Sequence, residues 1–296
     1  MDQLSRRTIH TRAMLVGLSL FIVIATVACA SSETGESPVN NPITSPTPVG
    51  PTPTPTPTLG PLIWSDEFDG PSIDLSKWSF EVGYIRNNEL QYYTDNDSDN
   101  AYIENGNLVI EARQEEMDGY AYTSASLNTK GKFSTLYGRI EMRAKLPYGK
   151  GMWPAFWTMG ANYDTVGWPA SGEIDIMEMI GGGKGKDDLV HGTIHWQEGI
   201  QGHQSMAGTK QLSTGIFADD YHVFAIDWAP DLVTWYLDGA PYSTAYLYTD
   251  AMKDEFGKPQ FILLNLAVGG NWPGSPDAST VFPQKYYIDY VRVYSP

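Results

Sequence analysis

The chain is short of cysteine. Of its 296 residues only Cys29 carries a thiol, which excludes an intrachain disulfide and any metal site built on cysteine. It is also short of positive charge, with 19 Lys and Arg against 35 Asp and Glu and a formal net charge of −16. Residues 1–60 balance, Arg6, Arg7 and Arg12 against Asp2, Glu33 and Glu36, so the whole deficit falls on residues 61–296. A body of that sign argues against nucleic acid or any other polyphosphate partner, whose contacts need a basic surface. An acidic enzyme acting on a neutral polymer fits, and so does plain solubility. Helical periodicity is scarce as well, the best being a turn or two near Thr249–Phe256.

What the sequence does contain begins with an apolar run, MLVGLSLFIVIATVACA, which follows the three arginines and ends near Cys29. A basic start, an apolar middle and small residues at the end have the layout of an export signal, so residues 1–30 are expected to be a signal peptide or a lipoprotein signal acylated at Cys29. Residues 31–60 turn to Pro, Thr, Ser and Gly and close on PTPTPTPTLG, an extended spacer without a core. The expected location is therefore secreted or anchored at the cell surface, with the membrane reached only through the N-terminal lipid. No further linker or internal repeat divides residues 61–296, which read as one domain working as a monomer.

Within that domain the apolar period is two. In YGRIEMRAKLP, Ile140, Met142, Ala144 and Leu146 alternate with Arg139, Glu141, Arg143 and Lys145, the pattern of a half-buried antiparallel strand. Asn107–Arg113, Tyr221–Trp228 and Tyr286–Tyr294 behave similarly, and Asp238-Gly239 is a hairpin turn. Many short strands separated by Gly, Pro, Asn and Asp predict an all-β chain folded as a β-sandwich of jelly-roll type.

One strand breaks the rule. SGEIDIMEMIGG, residues 171–182, places Glu173, Asp175 and Glu178 in a segment that otherwise looks buried. Regular alternation puts Glu173 and Asp175 on one face and Glu178 on the other. A single extra residue bulging out, expected around Met177, restores the parity and lines all three acids on one face. Their outer Cα atoms are then roughly 13 Å apart at about 3.3 Å per residue. Side chains leaning inward on a curved strand approach the ~5–5.5 Å that a retaining glycosidase uses. A solvated acidic face and a Ca²⁺ or Mg²⁺ site are the plainer readings. Against the first, no Lys or Arg interrupts Trp168–Gly183 to offset the repulsion. Trp153, Trp157, Trp168, Trp196 and Trp272 surround the acids in sequence, and indoles beside paired carboxylates suggest a polysaccharide cleft. About half of the nine tryptophans are expected to serve packing only.

GEIDIMEMIG preceded by WPAFWTMG and WPAS resembles the active-site segment of glycoside hydrolase family 16, in its bacterial laminarinase branch. WSDEFDG, NNELQYYT, YGRIEMRAKLP, GTIHW, LNLAVGGNWPGSPD and FPQKYYIDYVRVY extend the resemblance over residues 62–296. It implies a concanavalin A-like jelly roll with a concave substrate cleft and an endo-β-1,3-glucanase acting on β-glucan. The licheninases of the family usually have E-x-D-x-E, so Met177 favours the β-1,3-glucanase side. By resemblance Glu173 is the nucleophile, Glu178 the acid/base, Asp175 the residue that tunes the pair, and His195 a contact to the acid/base and its sugar. Asn88, Trp153, Trp157, Trp168, Asn265 and Trp272 match sugar-subsite positions. Glu67, Gly106 and Asp289 match a structural Ca²⁺ site; no cofactor is implied for catalysis. One departure stands out: Ser126 occupies a position where an arginine is expected. Rivals are a licheninase, a hydrolase of a decorated galactan, and a non-catalytic, lectin-like carbohydrate-binding jelly roll.

Overall fold

The computed structural model describes residues 59–296. The segments expected to be an export signal with its Cys29 and most of the Pro/Thr spacer lie outside the described residues. Two antiparallel sheets face each other. One runs in the order Ala240–Tyr246, Leu232–Leu237, His222–Ala229, Gly138–Lys145, Gln284–Tyr294, Asn107–Ala112, Ala101–Glu104, with Leu62–Asp66 also paired to Gln284–Tyr294. The other runs His203–Gln211, Leu189–Gln197, Glu173–Glu178, Met152–Gly160, Gln260–Val268, Ser126–Asn128, Ser79–Glu81. The predicted jelly-roll sandwich is the observed architecture, and the strands fall where alternation placed them.

Ile140, Met142 and Ala144 of Gly138–Lys145 are fully buried between the sheets, while Arg139 and Arg143 point outward to Asp227 and Asp289. Asp238 and Gly239 both take positive φ, 50° and 77°, as a tight two-residue hairpin requires. Near Thr249 the sequence gives a short helix, Asp250–Glu255, whose first turn is capped by the Thr249 hydroxyl accepting from the Met252 amide at 3.1 Å. Five tryptophans, Trp64, Trp78, Trp196, Trp228 and Trp235, belong to the core or pack against it, whereas Trp153, Trp157, Trp168 and Trp272 line a cleft. The expected half-and-half division of the nine is close to what the fold makes.

The odd spacing of the acids is resolved by a bulge. Against Leu189–Gln197, Asp175 pairs with Thr193 and Glu178 with His191, so three steps on one strand meet two on the other. Against Met152–Gly160 the ladder passes from Asp175 to Met177 while its partner moves only from Trp157 to Phe156. The unpaired residue is therefore Ile176, one earlier than Met177, where the sequence reading set it. Ile176 and Met177 are consecutive yet both sit in the core, 1% and 0% exposed, which an unbroken strand cannot do.

The opposite sheet locks this kink. Trp235 Nε1 donates to the Asp175 carbonyl at 2.8 Å, and its indole lies where a Cβ on Gly192 would stand, 2.3 Å from Cδ1. Gly192→Ala is expected to force the indole off that carbonyl and to destabilise the fold by about 1–3 kcal/mol, read from denaturant midpoints.

Candidate active site

Glu173, Asp175 and Glu178 share one cleft of about 540 Å³ with Trp153, Trp157, Trp168, His195, Asn265 and Trp272. Because the bulge spends one residue in the core, Glu178 emerges on the same face as the other two. Indoles hold the outer pair: Trp168 Nε1 donates to Glu173 Oε2 at 2.8 Å, and Trp153 Nε1 donates to Glu178 Oε1 at 2.9 Å. Each glutamate thus keeps a second oxygen, Oε1 of Glu173 and Oε2 of Glu178, free of these bonds. Between them Asp175 is 2% exposed. Its Oδ2 stands 3.1 Å from His195 Nε2, close enough for ion pairing but without an aligned hydrogen bond. Trp157, opposite Asp175 in the ladder, donates to Asn265 Oδ1 at 2.7 Å, and Asn265 donates to the Tyr93 hydroxyl at 3.1 Å. Trp272 meets Trp153 edge to face at 5.6 Å.

Two acids at the ends of one bulged strand, with aromatic walls, have the makings of glycosidic bond cleavage, and comparison with known proteins agrees. Residues 88–292 match the family model described as glycosyl hydrolases family 16. The chain belongs to glycosyl hydrolases family 16. It is similar to a beta-glucanase of Rhodothermus marinus, 41% identical over 79% of this chain and 84% of the relative. It is also 42% identical to the clotting factor G alpha subunit of Tachypleus tridentatus over 79% of this chain, but spans only 34% of that longer protein. Among solved structures, the laminarinase catalytic domain of Thermotoga maritima MSB8 superposes with a TM-score of 0.72 at 46% identity, covering 81% of this chain and 99% of the domain.

In this family 16 cleft, burial raises all three carboxyls. Glu173 is pushed up to about 8 by burial and then by the charge of Asp175. Glu178 is pushed up to about 7 by burial, against the hydrogen bond from Trp153. Asp175 goes well above the carboxylate range through burial and the charge of Glu178. Glu173 standing above Glu178 reverses the order that a resting nucleophile and a resting acid need. Neighbouring carboxyls share their protons, so this order does not assign the roles. Raised folded-state values mean that the native protein holds protons the unfolded chain has released. The associated stability is present below the unfolded carboxyl range and is lost as pH rises toward about 8. The melting temperature is therefore expected to fall between pH 5 and pH 8, and Asp175→Asn to narrow the fall, as differential scanning calorimetry at the two pH values would record.

In the family 16 fold Asn88 lies elsewhere than the sequence reading placed it, and the side chains of Glu67 and Asp289 make ion pairs. Asn88 does not line the cleft; its neighbours Asn87 and Glu89 do. Positive φ at Asn87 and Asn88, 60° and 53°, turns the Asn88 side chain to the rim, where it donates to Asn271 Oδ1 at 2.9 Å. Glu67 and Asp289, expected to bind Ca²⁺, are already neutralised. Both oxygens of Glu67 accept from Arg292, at 3.0 and 2.7 Å, and Asp289 Oδ2 accepts from Arg143 at 2.6 Å. Gly106 takes positive φ, 72°, in the turn after Ala101–Glu104. As it stands, Glu67 offers no free carboxylate oxygen to a hard cation. In the cleft itself Glu173, Asp175 and His195 bring donor atoms within 4.8 Å of one another. Two carboxylates and one imidazole are a thin set for Ca²⁺, which takes six to eight oxygens.

Among the cleft residues that escaped the sequence reading, two carry ring or guanidinium nitrogens, His203 and Arg86. His203 Nε2 lies 2.8 Å from His195 Nδ1, and its ring is 4.5 Å from that of Trp168. Their strands pair as a hairpin with His195 opposite Ser205, two residues from His203 and so on its face; strand parity across that turn was the available signal. Arg86 also borders the cleft.

Proposed function

We propose that the protein is a retaining endo-hydrolase of β-1,3-glucan of the laminarin type, with Glu173 as nucleophile and Glu178 as acid/base. The observation that carries the assignment is the bulge, which sets the two glutamates on one cleft face with one oxygen of each held by an indole. Glu173 Oε1 attacks the anomeric carbon while Glu178 Oε2 hands its proton to the departing glycosidic oxygen. The glycosyl ester on Glu173 is then cleaved by water, whose proton returns to Glu178. Asp175, 2% exposed between the two glutamates, tunes the pair, and His195 stands 3.1 Å from its Oδ2. Trp153, Trp168 and Trp272 offer faces for sugar rings, while Trp157, 6% exposed beneath Arg86, backs the cleft floor. Relatives named for β-glucanase and laminarinase activity support the glucan reading. Export through residues 1–30, with or without lipid at Cys29, and reach through the 31–60 spacer belong to the same proposal and rest on sequence.

Reducing-sugar release from laminarin, lichenan, agarose and carrageenan in parallel tests it. Laminarin is expected to be cleaved fastest, with the new reducing end appearing first as the β-anomer in NMR. Lichenan cleaved in preference to laminarin would replace the reading by a licheninase. No release from any of the four by folded protein would favour the lectin-like alternative.

A further inference from the structure

The guanidinium missing at position 126 is replaced from another direction. Arg86, in the segment between Ser79–Glu81 and Gln91–Tyr93, extends over the ring of Trp157 with its Cζ 5.1 Å from the centroid. Its Nη2 donates to Glu81 Oε2, and Ser126 donates to that same oxygen at 2.6 Å. Ser126 and Glu81 are direct partners in the ladder, so the serine acts as an anchor for the carboxylate that aims the arginine. Arg86 Nη1 is buried and has no hydrogen-bond partner among the described residues. An orphaned charged donor of this kind costs stability unless a ligand satisfies it. The side chain is only partly covered, 23% exposed, and borders the cleft.

We propose that Arg86 is a sugar-binding, specificity-determining residue whose guanidinium donates to a hydroxyl or ring oxygen of the unit neighbouring the one being cleaved. The position follows from the sheet. Trp157 stands on the strand next to the acids, about 4.8 Å to the side, and Arg86 covers it, with Asn265, Ser126 and Glu81 on the strands beyond. A chain crossing the strands meets the acids first and then this arginine. The ligand is neutral and not a sulfate or uronate: Glu81 already offsets the guanidinium, and Glu89, Glu173, Asp175 and Glu178 line the cleft around it. A planar fork stacked on an indole is suited to fixing one orientation of a hydroxyl-bearing ring.

The proposal rests on the glucanase reading, and a length series separates the two. The full chain and its Arg86→Ala and Arg86→Lys variants are assayed on β-1,3-linked glucose oligomers of increasing length. Arg86→Ala is expected to lose roughly 10- to 100-fold in kcat/KM on oligomers long enough to reach the arginine, mostly through KM, and less than about two-fold on the shortest oligomer cleaved. Arg86→Lys, which keeps the charge that Glu81 needs and so preserves the fold, is expected to fall between. A loss of the same size at every length, or none in folded Arg86→Lys, would overturn the proposal. If the parent cleaves a different linkage, the glucanase reading fails, and the same series on that linkage still decides Arg86.

Discussion

Glu173→Ala is expected to lose more activity on laminarin than the roughly 10²–10⁴-fold typical of a missing general acid, because no covalent glycosyl intermediate can form. Alanine leaves a gap at the position of Oε1, and azide at high concentration is expected to fill it. An activated aryl glycoside then turns over again and gives a glycosyl azide of inverted configuration, visible by NMR. Glu178→Ala behaves differently. Its loss is large on polysaccharide and small on substrates with good leaving groups, since only poor leaving groups need a proton. A Glu173→Ala protein that still releases reducing sugar at near-parental rate would remove that residue from the chemistry. Trp168, which donates to Glu173 Oε2, also leaves a mark on this test. In the variant its indole is free to bind the entering anion.

An alanine inserted between Met177 and Glu178 is expected to be nearly as damaging without removing any functional group. Ile176 and Met177 already spend the bulge in the core. One more residue restores the wrong parity and carries Glu178 to the buried face, where an uncompensated carboxylate destabilises the core or rebuilds the strand. Activity should fall by about 10²–10⁴-fold, the worth of a general acid. Deleting Met177 has the milder outcome. E-I-D-I-E alternates regularly, so both glutamates and Asp175 stay in the cleft, and the variant should keep measurable activity with a changed balance between laminarin and lichenan. Circular dichroism separates loss of fold from loss of chemistry. Equal activity in a folded insertion variant and its parent would show that strand parity does not place Glu178.

The strands and the acid triad were legible in the sequence because both are local: alternation in Gly138–Lys145 records which face is buried, and the E-x-D-x-x-E interval demands one extra residue. Parity could not choose between Ile176 and Met177, since both are apolar and both fit the core. Only the ladder with Met152–Gly160 distinguishes them. The loop residues were harder. Asn88 carries the right chemistry for a sugar contact, but left-handed backbone at two successive asparagines aims it at Asn271, 183 positions away. Arg86 joins Glu81, which in turn accepts from Ser126, 45 positions on; the sequence revealed an arginine missing at 126 without showing that another enters the same cleft. Likewise nothing in the C-terminal segment disclosed that Arg292 would take up both oxygens of Glu67.

The indole of Trp235 reaches from the sheet that does not line the cleft to the carbonyl of the most deeply buried cleft acid. The cleft consequently has no fold of its own: a fault in the Leu232–Leu237 strand is transmitted through one hydrogen bond to the register of the acids. Thermal inactivation should then track global unfolding, with no folded but silent form preceding it. For anyone reshaping the enzyme, the rear wall is a control surface. Substitutions at Trp235, Gly192 and Ile176 shift the catalytic strand from behind without replacing any residue that meets the polymer.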